Sequence, residues 1–319
     1  MEKLLEIDAI TVTCHDNDRT YNIVNDLSLS IGIGQIVGIV GESGCGKSTL
    51  AHSITQLLPA SFRVTGGTIK YRSQDIRKMK DTQFRRWLGE KIGFIFQDPM
   101  VSLNPMLNIG TQITEKLRLY SSLKKAEIYQ RAINVMQEVG FIDPESIYFK
   151  YPHELSGGMK QRAVIASAII NKPELIIADE PTTALDPTIQ IQILKLIYEI
   201  SKKYNSSILL ISHDFGVINQ ICDLVGVMYN GEIVELSNVK NIFDHPIHPY
   251  TKGLIECIPN PKQRNKPLKT IPGYIEHLQN NSGKCFFCDR CENTKIICTK
   301  KHPKLKEVLP DHSVRCFFT

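Results

Sequence analysis

The sequence predicts an α/β protein in which a doubly wound sheet carries a phosphate-binding loop. Three observations predict it. An apolar, partly β-branched run, Ile36 to Val40, leads into a glycine-rich loop and then a helical pattern. Two further apolar runs, Leu175–Ala178 and Ile208–Ile211, end in Asp179-Glu180 and Ser212-His213-Asp214. Between the first and second lies a long helical stretch, from about 98 to 170. Length and composition agree: 319 residues, 42% hydrophobic and 22% charged, are ordinary for a soluble chain with a sizeable core. The start MEKLLEIDAI has no signal-peptide pattern, and apolar stretches such as AVIASAII are too short for a bilayer, so the protein is expected in the cytoplasm.

In chain order, residues 1–95 read as short strands around one helix, with KLLEIDAITVTCH, YNIVNDLSLSI and TGGTIKYR as strands and Gly66-Gly67 as a turn. The glycine loop Gly41-Glu42-Ser43-Gly44-Cys45-Gly46-Lys47-Ser48 is a full G-x4-G-K-S match between its strand and its helix. Its glycines permit a tight turn with backbone N–H groups pointing inward at phosphate oxygens. Lys47 is positioned for the β- and γ-phosphates, Ser48 for Mg²⁺, and Thr49 continues the same turn. The Cys45 thiol sits at a helix start, where its pKa should fall, so its alkylation is expected to block nucleotide binding.

IRKMKDTQFRRWLGEK is basic and amphipathic, and LKKAEIYQRAINVMQEVG has a 3.6-residue period with a stop at Gly140. HELSGGMKQRAVIASAII reads as a helix capped by Ser156, with an N-terminus suited to an anion. Asp179 can hold Mg²⁺ through water and Glu180 can deprotonate an attacking water, while His213 is placed for a γ-phosphate. The net charge of +5 is uneven: residues 261–319 hold 12 Lys/Arg against 5 Asp/Glu, and the rest hold 26 against 28. Such a basic tail is either a solvated surface or a phosphate contact. The same tail reads CFFCDRCENTKIIC, and a cysteine cluster in a cytoplasmic chain points to metal or redox chemistry. Spacing alone leaves C-x2-C-x2-C through Cys285, Cys288 and Cys291 as natural a site as any other choice.

Leu155-Ser156-Gly157-Gly158-Met159, in order with the glycine loop, Asp179-Glu180, Ala184-Leu185-Asp186 and His213, resembles the motif set of ABC transporter ATPases. GFIFQDPMVSLNP supplies the family's Q-loop glutamine as Gln97. The resemblance implies an ATPase core over 1–258, with an antiparallel β subdomain and a helical subdomain at about 98–172, and a small cysteine-rich extension over 259–319. It implies ATP and Mg²⁺ as cofactors, with Ser48, Gln97 and Asp179 around the metal, Glu180 as general base and His213 at the γ-phosphate. It also implies a head-to-tail dimer in which Ser156, Gly157, Gly158 and Asp186 serve an ATP shared with the partner. Tyr21 is the nearby aromatic for stacking on adenine; the family's usual position falls earlier, in HDNDRT, which has only His15.

FQDPMVSLNP, LSGGMKQR and HPIHPYTKGLI together look like the oligopeptide/dipeptide/nickel importer family, and the signature methionine looks like its D-type ATPase. The implied partners are an F-type ATPase, two membrane permeases and an extracellular substrate-binding protein, with no nucleic acid. The implied place is peripheral, on the cytoplasmic face of the membrane. The implied cargo is a di- or oligopeptide, with nickel or a metal–metallophore complex as the alternative. Cys285, Cys291, Cys298 and Cys316 match the family's C-x5-C-x6-C-x17-C motif, associated with a [4Fe–4S] cluster, and Phe287, Arg290, Pro303, Leu305, His312 and Val314 match between them. Cys288 is then surplus and Asp289 replaces a proline; four-cysteine zinc is the chemical rival. A soluble ABC protein acting on nucleic acid has only the basic tail in its favour. A redox enzyme lacks any flavin or nicotinamide fingerprint.

Overall fold

The computed structural model describes residues 2–16, 19–183, 185–258, 270–274 and 283–318. It divides into two compact units: one comprises Met1–Leu4, Ile31–Gln35 and Ile76–Ile211, the other Leu5–Ser30, Ile36–Asp75 and Ser212–Thr319. The expected junction between ATPase core and extension, at 258–259, adjoins residues outside those described.

The second unit begins with β1 (Lys3–Asp16), β2 (Arg19–Gly32), β3 (Ile36–Val40), α1 (Lys47–Thr55), β4 (Phe62–Tyr71) and β5 (Gln74–Asp75). β1 pairs antiparallel with β4, and β4 with β5, in a sheet ordered β2-β1-β4-β5. Gly66-Gly67 was expected to form a turn, but it lies inside β4. Gly67 has φ +77°, the β1–β4 register shifts between Asp8 and Thr11, and a Cβ on Gly67 would lie 2.4 Å from the Ala9 carbonyl oxygen. The extra residue is on β1, where Ala9 and Ile10 face Gly67, and the absence of a side chain at Gly67 makes room for that bulge.

The first unit holds α2 (Asp81–Lys91), β6 (Ile92–Ile95), α3 (Pro99–Ser102), α4 (Ile109–Tyr120), α5 (Lys125–Glu138), α6 (Pro144–Phe149), α7 (Gly157–Ile169), β7 (Leu175–Asp179), α8 (Pro187–Tyr204) and β8 (Ser207–Ser212). β6, β7 and β8 run parallel in that order. β7 and β8 are buried along their whole length, which explains their unbroken apolar patterns. The basic 76–91 stretch buries Phe84 and Trp87 on α2 and exposes its arginines. The helical region resolves into α3 to α7. There Ile113, Leu117, Ala132, Met136 and Ile165 are buried, and Gly140 at φ +87° ends the α5 segment.

The second unit resumes with α9 (Phe215–Ile221), β9 (Leu224–Tyr229), β10 (Glu232–Asn238), α10 (Val239–Asp244), α11 (Pro249–Glu256), α12 (Ile296–Lys300), β11 (Lys306–Leu309) and β12 (His312–Val314). β3 is parallel to β9, β9 antiparallel to β10, and the C-terminal hairpin β11–β12 adds antiparallel to β10. The cysteine-rich extension is thus stitched into a sheet. Its anchor is His312, whose Nε2 lies 2.7 Å from Glu235 Oε1, with both side chains essentially inaccessible. Glu235 also accepts from the Ile247 and His248 backbone N–H groups at 2.8 and 2.9 Å. Among the described residues no helix is long and apolar enough to cross a membrane.

Candidate functional site

The glycine loop is shaped by close approach. A Cβ on Gly41 would lie 2.2 Å from the Met228 carbonyl oxygen, and one on Gly46 would lie 2.6 Å from the Ile23 carbonyl oxygen. Gly46 caps α1 at φ +105°, a backbone that other residues reach only with strain. Ser43 and Gly44 are exposed at the mouth, and Ser48 and Thr49 are half-buried on the first turn of α1. Lys47 is only 4% exposed. Its ammonium donates to the Gly41 and Glu42 carbonyl oxygens, each at 2.9 Å, so the loop is closed around its own cation. Cys45 corrects the sequence expectation. Its thiol is buried, and desolvation raises its pKa despite the neighbouring Lys47. Burial outweighs the helix terminus, leaving this thiol protonated and shielded.

Tyr21 is half-buried on β2. A hydrogen bond with Cys14, with some desolvation, raises its phenol pKa. His213 is exposed just after β8, and the next residue, Asp214, caps α9 by accepting from the Gly216 N–H at 2.6 Å.

In the first unit the carboxylates emerge where β7 ends. Asp179 is buried and Glu180 half-buried. Glu180 has φ +44°, a left-handed backbone unusual for a carboxylate residue. Its N–H donates to the Ile211 carbonyl at 3.0 Å. Its Oε2 accepts from Gln97 Nε2 at 3.1 Å and from Thr183 Oγ1 at 3.0 Å. The fold therefore brings Gln97 and Glu180 together across 83 positions. Ser156 caps α7, accepting from the Met159 N–H at 3.4 Å, and Ser156 and Gly157 are exposed. Asp186 is exposed at the start of α8; Ala184 lies outside the described residues. Sequence reasoning missed Thr183, Gln161 and Gln190. Gln161 donates to the Pro181 carbonyl at 2.7 Å, and Gln190 donates to the Thr182 and Leu185 carbonyls at 3.2 and 3.0 Å. The run E-P-T-T-A-L-D supplied the expected catalytic carboxylate and the family motif, but nothing local assigned the hydrogen-bond donors around it.

These elements place a phosphate loop, an oriented carboxylate–glutamine pair and an anion-ready helix start in one chain. Residues 24–183 match the ABC transporter family, and residues 234–298 match the C-terminal region of oligopeptide/dipeptide transporters. The chain belongs to the ABC transporter family of ATP-binding subunits. This ABC ATPase is 41% identical to the dipeptide transport ATP-binding protein of Bacillus subtilis, over 99% of this chain and 95% of that one. It is 39% identical to the oligopeptide transport ATP-binding protein of Escherichia coli, over 99% of this chain and 93% of that one. In fold it resembles a bacterial ABC transporter cassette solved as a dimer, with TM-score 0.67 and 25% identity, covering 74% of this chain and 99% of that one.

The C-terminal region of the ABC ATPase gathers its cysteines in one place. Cys285, Cys288, Cys291, Cys298 and Cys316 all line one cavity of about 210 Å³, and all are free thiols. A bond across the extension and a tight turn hold them: Cys285 N–H donates to the Cys298 carbonyl at 2.8 Å, and Cys288 N–H donates to the Cys285 carbonyl at 3.1 Å. Burial pushes the Cys285 thiol up to about 12 and Cys288 up to about 11, so thiolates there require a cationic group. Among the described residues no three His, Cys, Asp or Glu side chains are set for a single metal ion. Phe287 packs against Tyr229 and Tyr250 at ring distances of 5.2 and 5.3 Å. Tyr250 and Arg290 also touch the glycine loop. The Tyr250 hydroxyl accepts from the Glu42 N–H at 3.0 Å, and Arg290 forms a two-pronged pair with the Glu42 carboxylate at 2.7 and 3.0 Å. HPIHPYTKGLI and Arg290 entered the sequence reading only as family likenesses, with nothing in them pointing to the glycine loop.

Proposed function

We propose that this ABC ATPase powers import of di- and oligopeptides as the D-type member of a heterodimeric motor. The observation that carries it is likeness to dipeptide and oligopeptide transport ATP-binding proteins over 98–99% of the chain, with the C-terminal match at 234–298. In this reading the Gly41–Ser48 loop, with Thr49, holds the phosphates of ATP, and Tyr21 supports the adenine. Ser48, Gln97 and Asp179 surround Mg²⁺. Glu180 takes the proton from the attacking water, and His213 holds the γ-phosphate. The exposure of Ser156 and Gly157 at the start of α7 supports their serving the ATP of an F-type partner, with Gly158 and Asp186. Exposed Met100, Val101 and Met106 support docking on membrane permeases at the cytoplasmic face.

The extension is read as a [4Fe–4S] site held by Cys285, Cys291, Cys298 and Cys316. Four thiolates are what such a cluster requires, and a shared cavity suits it better than one zinc ion, which draws its sulfurs to about 2.3 Å from the metal. When bound, the cluster would cross-link the tail through its four thiolates. Iron analysis after anaerobic purification tests this: Cys316→Ala should lose iron and Cys288→Ala should keep it. Zinc without iron in the parent protein would overturn the cluster.

The transport reading is tested in proteoliposomes holding the two permeases, both ATPases and the binding protein. ATP turnover should rise several-fold with peptide-loaded binding protein. Stimulation by nickel or a metal chelate, and not by peptide, would overturn it in favour of metal import.

A further inference from the structure

The second residue of the phosphate loop is a carboxylate, and a carboxylate beside a bound triphosphate is electrostatically unfavourable. The loop itself offers no compensation beyond Lys47, whose ammonium the phosphates need. The compensating charge comes instead from the cysteine-rich extension. Arg290 donates from Nη1 to Glu42 Oε2 at 2.7 Å and from Nη2 to Glu42 Oε1 at 3.0 Å. Its Nε donates to the Pro272 carbonyl at 2.7 Å, and Nη2 also reaches the Ile271 carbonyl at 3.4 Å. Four of its five N–H groups are thereby engaged, and its guanidinium lies 5.7 Å from the centre of the Tyr229 ring. The arginine side chain is 5% exposed and the glutamate 32%. A fork held on so many sides is preorganised, and it acts on a partner that is only partly screened by water.

We propose that Arg290 is a positioning residue for nucleotide binding: it neutralises the Glu42 carboxylate on the glycine loop, tying ATP affinity to the cysteine turn. Arg290 is carried on that turn, where its N–H donates to the Phe287 carbonyl at 3.1 Å and the Cys291 N–H donates to the Cys288 carbonyl at 3.4 Å. Whatever fastens the turn that ends at Cys291 therefore also sets the guanidinium. The inference rests on the reading of the loop at 41–48 as the ATP phosphate site. A plain staple between extension and core would use the same contacts but would not distinguish nucleotides by charge.

The test is calorimetric titration of the full-length chain, as isolated, with Mg²⁺ and ATP, ADP or AMP. Arg290→Gln should weaken ATP about tenfold, ADP less and AMP hardly at all, since AMP lacks the β- and γ-phosphates that the loop holds near Glu42. Glu42→Gln alone should bind ATP about threefold more tightly, and the double variant should return to near the parent affinity. Arg290→Lys, which keeps the charge and loses the fork, should fall within about threefold of the parent. Equal weakening for ATP and AMP, or a double variant as weak as Arg290→Gln, would overturn the proposal. If Arg290→Gln does not fold, Glu42→Gln decides alone: unchanged ATP affinity there would also overturn it. Parent protein that binds no ATP would instead refute the reading of the loop.

Discussion

At the scale of single residues, the carboxylate at 180 combines chemistry with strain. Glu180 is held in a left-handed backbone by the Ile211 carbonyl, while Gln97 and Thr183 fix its Oε2. Such a conformation costs of order 1–3 kcal/mol and persists only where the surroundings enforce it. Glu180→Gln should keep Mg²⁺-ATP binding and slow phosphate release at least about 100-fold, as expected when a general base is removed. Release at the parent rate, measured with the same protein, would take Glu180 out of that role. Cys45 makes the opposite point. Its motif position suggests a reactive thiol, but burial decides, so alkylation in the folded chain should be slow with or without ATP. Labelling followed by mass spectrometry would show this directly.

At the scale of elements, small departures from the local pattern carry the architecture. The Gly66-Gly67 pair looked like a turn because sequence shows only the glycines and not the strand opposite. Gly67→Val should destabilise by about 2 kcal/mol in denaturant unfolding, because it must adopt φ +77° against the Ala9 carbonyl. Helix α11 begins at His248, whose Nδ1 accepts from the Tyr250 N–H at 3.1 Å, so the ring must be neutral. Burial pushes its pKa down to about 3 from 6.5. A depressed folded pKa means that the unfolded chain takes up the proton first. Stability is therefore complete above about pH 6.5 and is lost as pH falls toward 3. His248→Asn keeps a capping oxygen and should flatten the decline of unfolding midpoints between pH 6.5 and 5.

At the scale of the whole molecule, the proposed motor works between chains, which a single sequence signals only through exposed motifs. Glu180→Gln with ATP should form a stable heterodimer with the F-type partner by light scattering. Ser156→Arg should prevent that association while leaving ATP binding to its own loop intact. Failure of Glu180→Gln to associate, or association that Ser156→Arg does not affect, would remove the head-to-tail arrangement. The sequence by itself determined the fold class, the phosphate loop, the Asp179-Glu180 strand end and the capped helix at Ser156, because each depends on short-range spacing and periodicity. It also showed that the tail carries a cluster of cysteines. Only the tertiary structure decided what spans long separations: Gln97 on Glu180, His312 buried on Glu235, five cysteines around one cavity and Arg290 on Glu42. The physical reason is that periodicity encodes which face of an element is apolar, whereas a polar partner tens or hundreds of residues away is set by packing. Glu42 and Arg290, 248 positions apart, became neighbours only when the extension folded back against the loop.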